Sequence, residues 1–306
     1  MKVLLPTGGP AANVVAGQAP EPVPRPDEVL LKVEAFSVNR GETFLLEDPQ
    51  PGWRPGKDVA GLVVQAAADG TGPAVGSRVV GHPPQDGWAE YVAVPVGSLT
   101  ELPDSVSTLE AAALPLAGLT ALRLLRTAGD VTGRRILITG ASGGVGHYFT
   151  ELAAGAGAVV TAVSRDAQRG GRLVELGAAE VVHDVAEAVG PFDIVLESTG
   201  GKAFAQAVAR LAPRGTLVWF GQASREPVTV DFFDLLAGAR SATIRHFAYV
   251  DSDTPYGEDL ATLVRLTAAG RLHPELGLVA DWSATAEAIT ALRERRVRGN
   301  IVLTLS

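Results

Sequence analysis

The sequence predicts an α/β protein in two parts: a β-rich N-terminal segment, then a parallel sheet covered by helices on both faces. Three observations predict it. Ile136-Leu-Ile-Thr139 is a short β-prone run that passes through Gly140-Ala-Ser-Gly143-Gly-Val-Gly146 into an apolar helical stretch ending near Ala156. From that point to about Ile244, strand-like and helix-like runs alternate, which is the pattern of a parallel sheet. Before Ser107 the chain is instead rich in Pro and Gly, with short Val-rich runs.

Taken in order, the early strands fall at Val29–Val33, Val59–Val64, Arg78–Val80 and Ala89–Val94. Thr108–Leu125 reads as helix, broken once at Pro115, which lacks the N–H a helix interior needs. The alternating region places strands at 136–139, 159–163, 180–182, 193–197 and 216–220, with helices at 144–156, 166–176 and 202–211. After Tyr249 come helices at 257–269 and 283–296 and a last strand, Asn300–Leu305. The expected division is 1–112 with 251–306 as one domain and 113–250 as the other. No internal repeat interrupts it.

Composition narrows the function classes. A chain of 306 residues with 46% hydrophobic and 20% charged residues is an ordinary globular composition. The net charge of −8, with Arg295-Arg296-x-Arg298 as the one short basic run, argues against nucleic acid or an anionic membrane as partner. There is no apolar span of membrane length and no signal-peptide pattern, so a cytoplasmic protein is expected. Zero cysteines removes disulfides, thiol nucleophiles and thiolate metal ligands together. The five histidines, at 82, 147, 183, 246 and 273, show no metal-ligand spacing, and no metal site is expected.

The glycine turn has the strand before it and the helix after it that a dinucleotide site requires. Gly143, Gly144, Val145 and Gly146 let backbone approach a pyrophosphate, whose charge sits on free N–H groups at the helix start. A second β-run, Val159–Val163, closes the βαβ unit. At its end an acid would accept a ribose 2′-hydroxyl. Here stand Ser164 and Arg165, with Arg169 following, which offer donors and positive charge to a 2′-phosphate. NADPH is therefore the expected cofactor, although Asp184 nearby weakens that preference.

The order of parts, and the blocks Ser37-Val-Asn39, Pro55–Gly61, Leu114–Ala121, Gly140–Gly146, Glu197–Gly201 and Arg298–Leu303, resemble the medium-chain dehydrogenase/reductase superfamily in its zinc-independent quinone oxidoreductase branch. The resemblance runs nearly end to end. It implies a GroES-like β-rich catalytic domain joined to a doubly wound Rossmann domain. Where the zinc enzymes of that superfamily carry a Gly-His-Glu ligand motif, this chain has Lys57 and Asp58. Zinc-free relatives pass hydride to a quinone or an α,β-unsaturated carbonyl, an acceptor that spreads the incoming charge onto oxygen.

The resemblance also implies roles for single residues. Asn39 would lie beside the nicotinamide, donating to the substrate oxygen or orienting the ring. Glu42, Phe44 and Trp53 would border the substrate pocket; Phe44 replaces a tyrosine common in the family and so offers an apolar wall without a phenol. Thr120, Thr199, Gly221, Gln222, Phe247, Arg295 and Asn300 fall at cofactor-contacting positions. Gln222 lies near a turn where enoyl reductases carry a lysine and cannot act as an acid. His246 and Tyr249 are candidates for proton donation, each with a plain structural alternative. The implied partner is a small conjugated carbonyl or quinone, and the implied assembly a homodimer joined near Ser241–Phe247. An NADPH-dependent quinone or enone reductase leads; a tailoring enoyl reductase of polyketide type and an NADPH-binding protein with little turnover are the alternatives.

Overall fold

A computed structural model describes residues 1–9 and 11–305. It divides into two compact units, Met1–Leu119 with Asp253–Ser306, and Thr120–Ser252. The expected α/β architecture is observed, a β-rich unit and a parallel-sheet unit.

The first unit opens with β1 (Lys2–Pro6), β2 (Val14–Gln18), β3 (Glu28–Val38), α1 (Arg40–Leu45), β4 (Val59–Gln65), β5 (Arg78–Gly81), β6 (Tyr91–Pro95), β7 (Leu99–Glu101) and α2 (Thr108–Ala113). β1 and β2 form an antiparallel hairpin. β3 is the spine: Val29, Leu31 and Val33 point inward at the period of a strand, and Phe36 and Val38 continue the core beyond a register shift. It pairs antiparallel with β4 and β6. Trp88 packs within this core, stacked on Phe36 at 5.6 Å, and its indole N–H donates to the Ser37 carbonyl at 3.0 Å. α2 begins at a capping box in which Ser107 and Glu110 satisfy each other's backbone N–H groups. α3 (Pro115–Ala128) begins at the proline, where a missing N–H costs nothing, so the expected break falls between two helices.

The second unit contains β8 (Arg135–Ile138), α4 (Gly144–Gly155), β9 (Val159–Val163), α5 (Ala167–Glu175), β10 (Glu180–Val182), β11 (Phe192–Glu197), α6 (Gly201–Val208), β12 (Leu211–Trp219), α7 (Phe232–Ala237) and β13 (Thr243–His246). The six strands are parallel in the order β10-β9-β8-β11-β12-β13. Strand order therefore reverses between β8 and β11, the switch point of a doubly wound sheet. Ile136, Leu137 and Ile138 are wholly buried, as a strand covered on both faces demands.

The chain returns to the first unit through α8 (Tyr256–Ala268), β14 (Leu276–Asp281), α9 (Thr285–Arg293) and β15 (Asn300–Thr304). β15 pairs antiparallel with β3, and β14 parallel with β15, completing a seven-stranded sheet.

Several elements differ from expectation. α9 stops at Arg293, three residues early, because the chain turns at Arg295 with φ 58°. β12 starts at Leu211 and not near 216. Six elements, β1, β2, α1, β7, α7 and β14, have no clear sequence signal. α1 is six residues with a glycine inside it, β7 is three residues, and β14 alternates only between half-buried and exposed positions. Among the described residues, no helix is long and apolar enough to cross a membrane.

Candidate active site

A parallel sheet directs all its carboxyl ends to one edge, and that edge gathers the nucleotide-site candidates of the second unit. β8 runs out at Thr139, and Gly140 takes φ 64°, which a side chain would resist. Gly143 caps α4 with extended backbone, so the amides of Gly144, Val145 and Gly146 start the helix without intrahelical acceptors. At Gly146 an added Cβ would fall 2.3 Å from the Ala141 carbonyl oxygen, so only glycine lets the first helical turn close on the strand exit. The Ala141 N–H donates to the Val163 carbonyl at 3.1 Å, which ties the turn to the end of β9.

The switch point is braced by a carboxylate that sequence reasoning did not single out. Glu197, fully buried at the end of β11, accepts from the Thr139 hydroxyl at 3.0 Å and from the N–H groups of Thr199 at 2.8 Å and Gly200 at 3.0 Å. Burial raises its pKa against the pull of those three donors. Thr139 in turn accepts the Ser198 N–H at 2.9 Å. The loop carrying Thr199 is thus fixed to the glycine turn. An acid ending an apolar strand just before Ser-Thr-Gly-Gly was the available signal.

The corner at the end of β9 is more internally satisfied than expected. Ser164 is buried, and its hydroxyl donates to the Asp166 carbonyl at 3.1 Å, so it is not turned outward. Arg169 pairs with the Asp166 carboxylate at 3.3 Å. Arg165 is exposed. Asp184 caps a short 3₁₀ turn, accepting the Ala186 N–H at 2.7 Å, which commits one of its oxygens to that turn.

Further along the same edge, Ala223 donates its N–H to the Ser198 carbonyl, and Gly221 lies where a Cβ would meet that carbonyl oxygen at 3.1 Å. The Gln222 amide folds onto the Glu226 carbonyl of its own turn at 2.7 Å. Phe247 extends the end of β13, its N–H donating to the Trp219 carbonyl at 2.9 Å. His246 is exposed on this edge strand, Tyr249 is half-buried with its carbonyl accepting from Arg123 at 2.6 Å, and Thr120 is buried on α3. The ends of β8, β9, β11, β12 and β13 thus bring most of the nucleotide candidates together.

In the first unit, α1 starts at Asn39 and turns Glu42 inward. Asn39 Nδ2 donates to Asp58 Oδ2 at 2.6 Å and lies 3.2 Å from the Ser37 hydroxyl. Since the carboxylate can only accept, this orientation of the amide is required, and the Asn39 side chain shares a capping box with Glu42 at the start of α1. The Asn39 amide hydrogens are thus engaged within the first unit, on Asp58 and Ser37. Asp58, wholly buried, also accepts from Ser37 Oγ at 2.6 Å and the Leu116 N–H at 3.0 Å, and meets His82 Nδ1 at 3.0 Å. Glu42 accepts from the Gly56, Lys57 and Asn39 N–H groups at 2.9, 3.1 and 3.1 Å. Burial, reinforced by the Asp58 charge, pushes its pKa up to about 8. Glu42 is therefore a buried brace for the 55–57 loop and not a pocket wall.

Phe44 is exposed on α1, whereas Trp53 packs on the core of this unit. Asn300 is buried, with its amide donating to the Glu275 carbonyl at 3.3 Å. Arg295 is exposed; burial first, and the Arg295 charge second, lower the pKa of Arg40.

Two family models match the chain: "Alcohol dehydrogenase GroES-like domain" over residues 25–104 and "Zinc-binding dehydrogenase" over 176–303. A chloroplast envelope quinone oxidoreductase homolog of Arabidopsis thaliana is 37% identical over 213 residues, spanning 64% of this chain and 63% of that protein. A mycobacterial protein solved with NADPH superposes with TM-score 0.88 at 28% identity over 99% of both chains. A 2-haloacrylate reductase structure superposes with TM-score 0.83 at 26% identity, also over 99% of both. Fold and motifs define a two-unit dehydrogenase with a doubly wound nucleotide unit. The chain belongs to the medium-chain dehydrogenase/reductase superfamily, in its quinone oxidoreductase branch.

The zinc in the second model's description does not fit these residues. Among the described residues no group of three or more His, Cys, Asp or Glu could hold a metal. Asp58 and His82 meet only as a pair, and Asp58 is committed to its neighbours.

Proposed function

We propose that this chain is an NADPH-dependent reductase that passes hydride to a quinone or another α,β-unsaturated carbonyl. The observation that carries the reading is the carboxyl edge of the six-stranded sheet, where a glycine turn that excludes a Cβ stands beside a corner with Arg165 in place of an acid. The NADPH in the mycobacterial relative's structure supports the cofactor, and the names of the plant and haloacrylate relatives support a conjugated acceptor.

When bound, NADPH supplies the hydride from its nicotinamide. The amides of Gly144, Val145 and Gly146 hold the pyrophosphate, while Arg165 meets the 2′-phosphate. Thr199 and Gly221, on loops cross-linked through Glu197 and Ser198, border the nicotinamide half. Asn39, fixed by Asp58, is assigned to orienting the nicotinamide ring. Phe44 supplies an apolar surface for a flat acceptor. Gln222 has no proton to give, so the reduced product takes its proton from solvent or from His246 or Tyr249. We assign substrate handling to the first unit and a homodimer contact to the edge strand β13, in a cytoplasmic enzyme.

The test is loss of nicotinamide absorbance with quinones, linear enones and 2-haloacrylates. Turnover with quinones or simple enones supports the reading. Turnover confined to bulky polyketide-like enones moves it to a tailoring enoyl reductase. Tight NADPH binding with no consumption by any acceptor overturns it in favour of a binding protein.

A further inference from the structure

His183 lies just past β10, and its ring is fixed by a bond that determines what the rest of it can do. Nδ1 stands 2.9 Å from the Ser164 carbonyl oxygen, which can only accept, so Nδ1 carries a proton and donates. Nε2 is then the variable nitrogen, an acceptor on the neutral ring and a donor on the cation, and the residue is exposed. Its anchor is the residue at the end of β9, where a doubly wound sheet receives the adenosine ribose.

The neighbours leave this position to His183. The Ser164 hydroxyl is turned back on Asp166, Arg169 is engaged by the Asp166 carboxylate, and Asp184 is engaged in its capping bond. The His183 N–H donates to Glu187 at 2.9 Å, which holds the backbone of the residue in place. The charged groups of this corner are therefore Arg165, Asp166 and Arg169 on the β9–α5 side and Asp184 and Glu187 on the His183 side. By formal charge that is two cations against three anions, so the corner without a charged histidine is a modest phosphate site.

We propose that His183 is a specificity-determining residue for the 2′ position of the adenosine ribose: as a neutral acceptor it takes the 2′-hydroxyl of NADH, and as a cation it donates to the 2′-phosphate of NADPH. This rests on the reading of the second unit as a nicotinamide-nucleotide site. The two protonation states of the ring would then favour different cofactors, which makes cofactor preference depend on pH.

The experiment measures dissociation constants of NADPH and NADH by nucleotide fluorescence from pH 5.5 to 8.5. It uses the wild-type protein, His183→Asn, whose amide can still donate to the Ser164 carbonyl, and His183→Lys, which stays charged. The 2′-phosphate has its own second ionisation near pH 6, and it is common to all three proteins. The wild-type preference for NADPH over NADH is expected to fall, relative to His183→Asn, by roughly tenfold from the acid to the alkaline end, the difference between a charge-assisted and a neutral hydrogen bond. His183→Lys should keep the acid-side preference throughout. Superimposable wild-type and His183→Asn profiles would overturn the inference while leaving NADPH binding intact. Failure of the wild type to bind either nucleotide at any pH would overturn the underlying reading and this inference with it.

Discussion

Glu42 gives the sharpest quantitative prediction. It is a buried carboxyl whose pKa rises from 4.5 to about 8 on folding, through burial first and the Asp58 charge second. The folded state therefore holds a proton that the unfolded chain gives up above about pH 4.5. Stability is unaffected below 4.5, falls as pH rises between 4.5 and about 8, and is level beyond. At about 1.4 kcal/mol per pH unit the full span is worth roughly 5 kcal/mol, a large share of a domain's stability. Glu42→Gln removes the titration. Its Oε1 can still accept from Gly56 and Lys57, but its NH2 then faces the Asn39 N–H, at a pH-independent cost of about 1–3 kcal/mol. Urea unfolding followed by tryptophan fluorescence suits the assay, since Trp53, Trp88 and Trp282 all lie in the first unit. The variant should be less stable than the wild type at pH 5 and overtake it by pH 8.5. Parallel pH–stability curves for the two proteins would refute the burial argument.

Gly146→Val forces a Cβ to within 2.3 Å of the Ala141 carbonyl and should reduce NADPH affinity at least a hundredfold, read by fluorescence titration. Trp88→Ala removes a fully buried indole stacked on Phe36 and orphans the Ser37 carbonyl; a loss of about 3–5 kcal/mol in chemical unfolding is expected. Ile244→Lys places a charge on the exposed edge strand β13, and sedimentation should show a dimer becoming a monomer; a monomeric wild type would remove the edge-strand assignment.

The legible parts of the fold were those with a strong local signal. Ile136–Thr139 with its glycine turn, Val159–Val163 and the helical run split at Pro115 each carry their own periodicity or punctuation, and each stands close to where it was expected. The hairpin β1–β2, the short α1 and the shallow β14 are made by pairing and packing that no local window contains. Candidate residues fared the same way. The glycines of the turn act through backbone, which sequence reports directly. Side chains whose role depends on what faces them were harder: Glu42 reads as a contact residue and is a buried brace, while Glu197 stood only as the start of a family block and His183 only as one of five scattered histidines.

The sequence by itself determined the class of protein, the dinucleotide turn and the basic residue that follows β9, because periodicity, glycine spacing and residue charge are local properties. The tertiary structure alone decided which polar atoms remain available for chemistry. A hydrogen-bonding group has few partners to give, and only the packed chain shows that Asn39 spends its donors on Asp58, that Ser164 spends its hydroxyl on Asp166, and that the ring of His183 keeps Nε2 in reserve.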